Sequence, residues 1–304
     1  MSVETRVISE KPLTLGCYRK RLAIYNESIV YTNGSTLYSE NKEILTLPSQ
    51  IYDIQLHNDQ LYMITETGDV TVASDTTKTN SVTQKYGFYS ALESLTKGSA
   101  NSYIAAANDI THTIRLIDPE NLTTVSSMKL PDQICCFTSS EGLLASADGR
   151  TVSLIDPREM KCLYRSGALS SPPTAISLQS GHLIVTGEDR RIRQYDSRRL
   201  KSPILTTKPA TKNGAVALFA NEGGDACISI GCDEAMTLAV FSEDVGQFKR
   251  GKYLAETPWA SAPSIINGRM SLITRGGVLH QFERPFDFSS TNKEAASGQA
   301  VDDE

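Results

Sequence analysis

The chain has 304 residues, of which 39% are hydrophobic and 21% charged, and its formal net charge is −5. These proportions are typical of a soluble globular protein, and an acidic chain carries no overall positive field that would attract nucleic acid. The sequence contains no run of about eighteen apolar residues, the length that a membrane-spanning helix needs. We therefore expect neither membrane insertion nor nucleic-acid binding.

The N-terminus and the cysteines bear on where the protein works. Residues Met1 to Arg6 lack the apolar core of a secretory signal peptide. The 6 cysteines form no C-x-x-C pair, and in a chain without an export signal they are expected to be buried thiols of a reducing compartment. We expect the protein in the cytosol, the nucleus or both.

The first part of the chain alternates short apolar segments with tight turns. Residues 4–9 predict a lone strand, and residues 22–47 predict four short strands with Asn33-Gly34 as a hairpin turn. A second group of strands begins at Ile51, where alternation of side chains is strict, and a third begins near Tyr89. Each group has the size of one small antiparallel sheet.

An internal repeat is clearest in the middle of the chain. Leu143–Arg158, L-L-A-S-A-D-G-R-T-V-S-L-I-D-P-R, aligns without a gap on Leu183–Arg198, L-I-V-T-G-E-D-R-R-I-R-Q-Y-D-S-R. Each copy is a short apolar strand, a polar turn and a second strand with alternating apolar residues. A self-similar unit of about forty residues built from short strands is typical of a β-propeller.

The remaining groups complete the count and suggest how the ring closes. The fourth and fifth units begin at Ile134 and Thr174, the sixth at Ala215 and the seventh at Pro263. The seventh has only three strands, so the N-terminal strand is predicted to supply its fourth, which would remove an exposed sheet edge. We predict an all-β fold, a seven-bladed β-propeller of four-stranded antiparallel blades over residues 3–285. A disordered acidic tail is predicted over residues 286–304.

By its fifth unit the chain resembles the WD-repeat family, in which the third strand of a blade ends in Trp-Asp after a turn aspartate. Here Asp189 and the pair Tyr195-Asp196 occupy those places, whereas the single tryptophan, Trp259, lies elsewhere. The Gly-His pair that opens a family repeat is missing. The family's hydrogen-bond network of His, Ser, Asp and Trp must therefore be incomplete, and stability would rest on the apolar faces of the sheets.

Two Asp-x-Arg sequences occupy equivalent positions in consecutive units, Asp156-Pro157-Arg158 and Asp196-Ser197-Arg198. Within the WD-repeat family, the doubled motif is similar to the signature of substrate receptors of cullin–RING ubiquitin ligases, whose arginines dock on an adaptor propeller. The rigid donor fork of arginine suits carbonyls and carboxylates at such an interface. The other interpretation is a salt link within the blade or a turn-forming aspartate, and the sequence leaves both open.

The densest positive patch lies in the fifth unit. Together with the first Asp-x-Arg motif it gives the predicted partner-binding residues, which we expect on one face: Arg158, Arg190, Arg191, Arg193, Arg198 and Arg199. Such a patch suits acidic or phosphorylated protein surfaces, or an RNA backbone. The alternative is that strand alternation simply sends these side chains to solvent or to acidic loops. Only Tyr195 is near for stacking on bases, which argues against nucleic acid.

Catalytic motifs do not occur in the sequence. There is no G-x-S-x-G, no H-E-x-x-H and no P-loop, and no two of the 4 histidines share a metal-ligand spacing. We therefore predict no catalytic residue, no metal and no cofactor. The predicted function is a non-catalytic scaffold subunit of an intracellular multiprotein complex, monomeric within that hetero-complex. The alternatives are a cullin–RING substrate receptor and, further, a hydrolase-type propeller enzyme with a site on its top face.

Overall fold

A computed structural model describes residues 3–7, 22–25, 28–39, 42–73, 84–85, 91–95, 102–211, 214–231, 235–241, 246–253, 264–266, 269–274, 276–283 and 285–286. Their regular structure consists of 28 strands in seven four-stranded sheets. All strand pairs are antiparallel. The predicted seven-bladed, all-β propeller is thereby confirmed.

The strands follow the chain blade by blade after one separate strand, β1 (Val3–Val7). Blade 1 contains β2 (Leu22–Tyr25), β3 (Ser28–Asn33), β4 (Thr36–Ser39) and β5 (Lys42–Thr46). Blade 2 contains β6 (Ile51–His57), β7 (Gln60–Thr65), β8 (Asp69–Ala73) and β9 (Gln84–Lys85). Blade 3 contains β10 (Ala91–Leu95), β11 (Tyr103–Asn108), β12 (Thr113–Ile117) and β13 (Thr124–Lys129).

The second half of the chain continues the same pattern. Blade 4 contains β14 (Ile134–Ser140), β15 (Leu143–Asp148), β16 (Thr151–Asp156) and β17 (Lys161–Arg165). Blade 5 contains β18 (Pro173–Gln179), β19 (His182–Gly187), β20 (Arg191–Asp196) and β21 (Leu205–Pro209). Blade 6 contains β22 (Ala215–Ala220), β23 (Ala226–Gly231), β24 (Ala235–Phe241) and β25 (Gly246–Tyr253). The last group contains β26 (Ser264–Ile266), β27 (Arg269–Ile273) and β28 (Val278–Glu283).

The N-terminal strand completes blade 7. β1 pairs antiparallel with β28, from Val3 opposite Phe282 to Val7 opposite Val278, and the sheet order is β26-β27-β28-β1. The prediction that the first strand closes the last blade is confirmed. The first and the last strand of the chain therefore lie in the same sheet, and the backbone hydrogen bonds between them close the ring.

The core consists of apolar clusters between neighbouring blades. Strand alternation sends successive side chains to opposite faces of a sheet: in β19, Leu183 and Val185 pack toward blade 4, whereas Ile184 packs toward blade 6. Equivalent clusters occupy the interfaces around the ring. A further cluster contains Tyr31 of blade 1 and Ile273 of blade 7, and so packs the first blade against the last.

Two buried polar side chains inside the blades lack a hydrogen-bond partner. Ser146 of β15 and Ser229 of β23 are fully buried, and their hydroxyls have no hydrogen-bond partner among the described residues. The neighbours of both serines on their strands are buried apolar residues of the clusters between blades.

Two expectations from the sequence need comment. Cys227 is buried, but Cys135, Cys136 and Cys162 are only half-buried, so the expectation of uniformly buried thiols was wrong. Cys162, for example, lies on an outermost strand that has a neighbour on one side only. The predicted acidic tail, apart from Phe286, lies outside the described residues.

His57 joins blade 2 to blade 3. It ends β6, is buried, and its ring nitrogens lie 2.8 Å from the Ser94 hydroxyl and 3.2 Å from the Ser102 hydroxyl. Burial lowers the pKa of His57 from its ordinary value of 6.5. Because burial penalises the charged form of the ring, protonation should oppose folding.

Acidification should therefore weaken the fold through His57. The unfolded state binds a proton more readily than the folded state, so the free energy of unfolding should fall as the pH drops below 6.5. Urea unfolding should show a lower free energy of unfolding at about pH 5.5 than at about pH 7.5, in part because of this residue. His57→Gln, which cannot titrate, should show a smaller loss; an equal loss in both proteins would contradict the assignment.

Removing β1 should destabilise the ring. Deletion of residues 1–9 takes away five paired residues and exposes the edge of β28, with an expected cost of about 3–5 kcal/mol in unfolding free energy. Thermal and urea unfolding measure the change. The substitution Val7→Thr, at a largely exposed position of the same strand, is the control and should stay within about 0.5 kcal/mol. An unchanged stability after the deletion would disprove the closure.

Candidate partner-binding surface

Four of the six predicted arginines lie at opposite ends of one strand in blade 5. β20 runs from Arg191 to Asp196, so Arg190 and Arg191 lie at its start, whereas Arg198 and Arg199 follow its end. Six strand residues span about 20 Å. We call the end with the turn between the second and third strands of each blade the upper face, and the end with the loop between the third and fourth strands the lower face. The structure does not bring the six arginines onto a single face.

Arg193 is engaged inside the propeller. It is buried, and its guanidinium donates to both carboxylate oxygens of Asp189 and, at 2.8 Å, to the Ser170 hydroxyl in the loop that enters blade 5. Burial alone would raise the pKa of Asp189, but hydrogen bonds from Arg193, Ser170 and the Arg191 backbone outweigh it and hold that pKa well below its usual range. Arg193 thus braces blade 5 rather than offering its charge to a partner.

The other two upper arginines differ in exposure. Arg190 is half-buried, and its backbone has a φ of 64°, in the left-handed region, where its N–H donates to the Gly187 carbonyl at 2.9 Å. Arg191 is exposed. On the upper face, Arg191 is therefore the predicted residue that is most available to a partner.

On the lower face, three consecutive blades carry the same turn. In each, an aspartate at or just after the end of the third strand accepts a hydrogen bond from the backbone N–H two residues later, at 2.8 to 2.9 Å. The pairs are Asp118 with Glu120, Asp156 with Arg158, and Asp196 with Arg198. This is an Asx turn, in which a short side chain replaces a backbone acceptor. The aspartate of each Asp-x-Arg motif is therefore turn-forming.

The arginines of the two motifs nevertheless point into solvent. Arg158 donates from Nε and Nη2 to the Asp156 carboxylate, at 3.0 and 2.7 Å, while its side chain stays 78% exposed. Arg198 is 84% exposed, and its Nε lies 3.6 Å from the Asp196 carboxylate. The hydrogen bond with Arg158 lowers the pKa of Asp156. Because Arg158 uses two of its five N–H groups in this pair, the rest remain for an external acceptor.

More exposed cations follow on the blade 5 loop. Arg199 and Lys201 are exposed, while Leu200 between them is buried in the cluster that joins blades 4 and 5. Leu200 therefore anchors the loop over this interface. The flanking cations are presented from a fixed support.

Two exposed apolar side chains lie on the outermost strand of blade 4. Leu163 and Tyr164 of β17 are 41% and 43% exposed. Tyr164 lies opposite Leu154, which belongs to the cluster between blades 4 and 5, so Tyr164 is on the side of blade 4 that faces blade 5. We call the lower-face surface that carries the exposed cations of blades 4 and 5 the lower seam; it comprises Arg158, Arg198, Arg199 and Lys201.

Metal and membrane features can be stated for the described ranges only. These ranges hold no group of three or more His, Cys, Asp or Glu side chains able to bind a metal ion. Nor does any helix within them reach the length and apolarity needed to cross a bilayer.

Three surface residues were missed by sequence reasoning. Glu120 had a usable signal, because Asp118-Pro119-Glu120 repeats the spacing of the Asp-x-Arg motifs in the preceding unit. Leu163 and Tyr164 had none. Their strand is the outermost of its blade, and alternation alone does not tell which edge residues a neighbouring blade covers.

Blade count, closure and strand order define a seven-bladed β-propeller. No protein-family model and no curated protein matches the sequence. Among solved structures 1698 chains match, so the fold is widely shared and does not by itself define an activity. One of them is a chain of the crystal structure of the mitotic checkpoint complex. It has a TM-score of 0.76 and 12% sequence identity, over 92% of this chain and 93% of that chain.

Substitution of Arg191 and of Arg193 by methionine should change the free energy of unfolding by different amounts. Arg193→Met leaves the Asp189 carboxylate without its main partner in a largely covered site, and should cost about 2–3 kcal/mol of unfolding free energy. Arg191→Met, at an exposed position, should change it by less than about 0.5 kcal/mol. Urea unfolding of the two variants makes the comparison. Equal effects would show that the burial assigned to Arg193 is wrong.

Proposed function

We propose that this protein is a non-catalytic interaction scaffold, a WD-repeat subunit of an intracellular multiprotein complex in the cytosol, the nucleus or both. Its lower seam binds acidic or phosphorylated segments of partner proteins, and the chain is a monomer within that complex. The observation that carries the proposal is the pair Arg158 and Arg198, 78% and 84% exposed, on equivalent turns of neighbouring blades.

The chemistry of the lower seam supports an anionic partner. Guanidinium groups form strong, paired hydrogen bonds with carboxylates and phosphates. Segments 156–161 and 196–201 together carry five cations and three anions, a local positive excess in a chain whose net charge is −5. This local excess would steer an acidic segment toward blades 4 and 5 despite the negative charge of the whole protein.

The residue type and the supports of these cations favour a protein partner. Arginine is one of the residue types that dominate the binding energy of protein interfaces. The Asx turns and the buried Leu200 hold the loops in place. Less conformational entropy is then lost on binding. The similar solved chain also belongs to a protein complex.

A second candidate uses the same two arginines. In a cullin–RING substrate receptor, Arg158 and Arg198 would dock on an adaptor propeller. The observation in its favour is that both are exposed on one face of consecutive blades. The described residues provide no observation that favours the hydrolase-type alternative.

The test is a double charge reversal with a matched control. We expect Arg158→Glu/Arg198→Glu to weaken binding of a fluorescein-labelled, tyrosine-containing poly-glutamate peptide by about tenfold or more, because two attractive pairs become repulsive. A phosphoserine peptide of the same length tests whether the lower seam binds phosphorylated segments. Fluorescence anisotropy at low salt measures both.

Arg191→Glu is the control, since Arg191 is exposed on the upper face. It should leave binding unchanged, and all variants should keep the thermal stability of the parent protein. Equal losses in the control and the double variant would contradict a role for the lower seam. Affinity purification followed by mass spectrometry separates the two candidates, because recovery of an adaptor and a cullin that is lost in the double variant would favour the second.

A further inference from the structure

Glu120 reverses the charge of the lower-face pattern in blade 3. It is exposed and lies two residues after Asp118, at the position that Arg158 and Arg198 hold in blades 4 and 5. The three backbone hydrogen bonds that define these turns are 2.8, 2.9 and 2.9 Å long. Three consecutive blades therefore present one negative and two positive side chains from the same local geometry.

The blade 3 turn is held as firmly as the other two. Asp118 also accepts a hydrogen bond from the Asn121 side chain at 3.0 Å, and its carbonyl accepts one from the Leu122 N–H at 2.9 Å. The Tyr62 hydroxyl of blade 2 donates to the Pro119 carbonyl at 3.1 Å. Leu122 is buried between blades 2 and 3. Glu120 is thus presented from a fixed position rather than from a loose loop.

The turn itself does not require an acidic residue at this place. An Asx turn depends on the aspartate and on a backbone N–H, so the side chain two residues later is free to vary. Within the part of the chain that the structure describes, the Glu120 carboxylate makes no ion pair and no side-chain hydrogen bond. Its charge is directed to solvent, as are the guanidinium groups of Arg158 and Arg198.

We propose that the lower face recognises a protein segment with two charge blocks, an acidic block over blades 4 and 5 and a basic block over blade 3. Glu120 fixes the orientation of that segment, since reversing it would place like charges opposite Glu120 and Arg198. Charge complementarity of this kind sets register and rejects wrong partners more than it adds affinity. The inference rests on the proposed binding of acidic segments at the lower seam.

Three labelled peptides of equal length test this inference on the full chain. The block peptide has a run of glutamates followed by a run of lysines. The all-acidic peptide has glutamates only, and the alternating peptide has the same glutamates and lysines as the block peptide in alternation. Each peptide also contains one tyrosine. The wild-type protein should bind the block peptide about threefold or more tighter than the all-acidic peptide, the scale of one or two exposed ion pairs. It should also prefer the block peptide to the alternating one.

Substitution of Glu120 should switch this preference. Glu120→Gln should bind the block and all-acidic peptides equally, and Glu120→Arg should prefer the all-acidic peptide. An unchanged preference in Glu120→Arg would overturn the inference. The variant Arg158→Glu/Arg198→Glu distinguishes failure of the Glu120 inference from failure of the lower seam. If the wild-type protein binds the all-acidic and block peptides equally well, and the variant binds neither, the lower seam is supported and the role of Glu120 is disproved. If no peptide binds the wild-type protein, both the seam and the inference fail.

Discussion

Each blade of this propeller buries apolar side chains on both of its faces, so no blade can be stable without two neighbours. The alternation along β19, with Leu183 and Val185 toward blade 4 and Ile184 toward blade 6, is the local form of this constraint. The chain satisfies it for the last blade by returning its first strand, β1, to the edge of β28. Stability and ring closure are thus one property, and the loops at both faces depend on it.

Two ion pairs link residues within blades 4 and 5. Arg193 pairs with Asp189 in blade 5, and Arg165 pairs with the fully buried Asp148 carboxylate in blade 4. These pairs consume charges near the upper ends of the blades. At the lower ends the aspartates bind backbone N–H groups, and although Asp156 also pairs with Arg158, the side chains of Arg158 and Arg198 stay largely exposed. The same residue types therefore stabilise the blades at one end and offer binding groups at the other.

The sequence predicted the fold better than the site. Strand alternation and the Leu143–Arg158 repeat located most strands to within a few residues, because each strand pattern is local. The arginines were grouped by closeness in sequence, although a strand carries Arg190 and Arg198 to opposite faces. The burial of Arg193 depends on Ser170 of a preceding loop, and the exposure of Tyr164 depends on what blade 5 leaves uncovered. Both are properties of the assembled ring, which no local pattern contains.

The most direct test of the central claim is hydrogen–deuterium exchange of the full chain with and without the poly-glutamate peptide at saturation. The account predicts slower exchange in the lower-face loops at residues 157–160 and 197–204, where the seam residues lie. Exchange in the upper-face turn around residues 188–191 should not change. Protection of that upper turn, or bound peptide without protection of either lower loop, would contradict it.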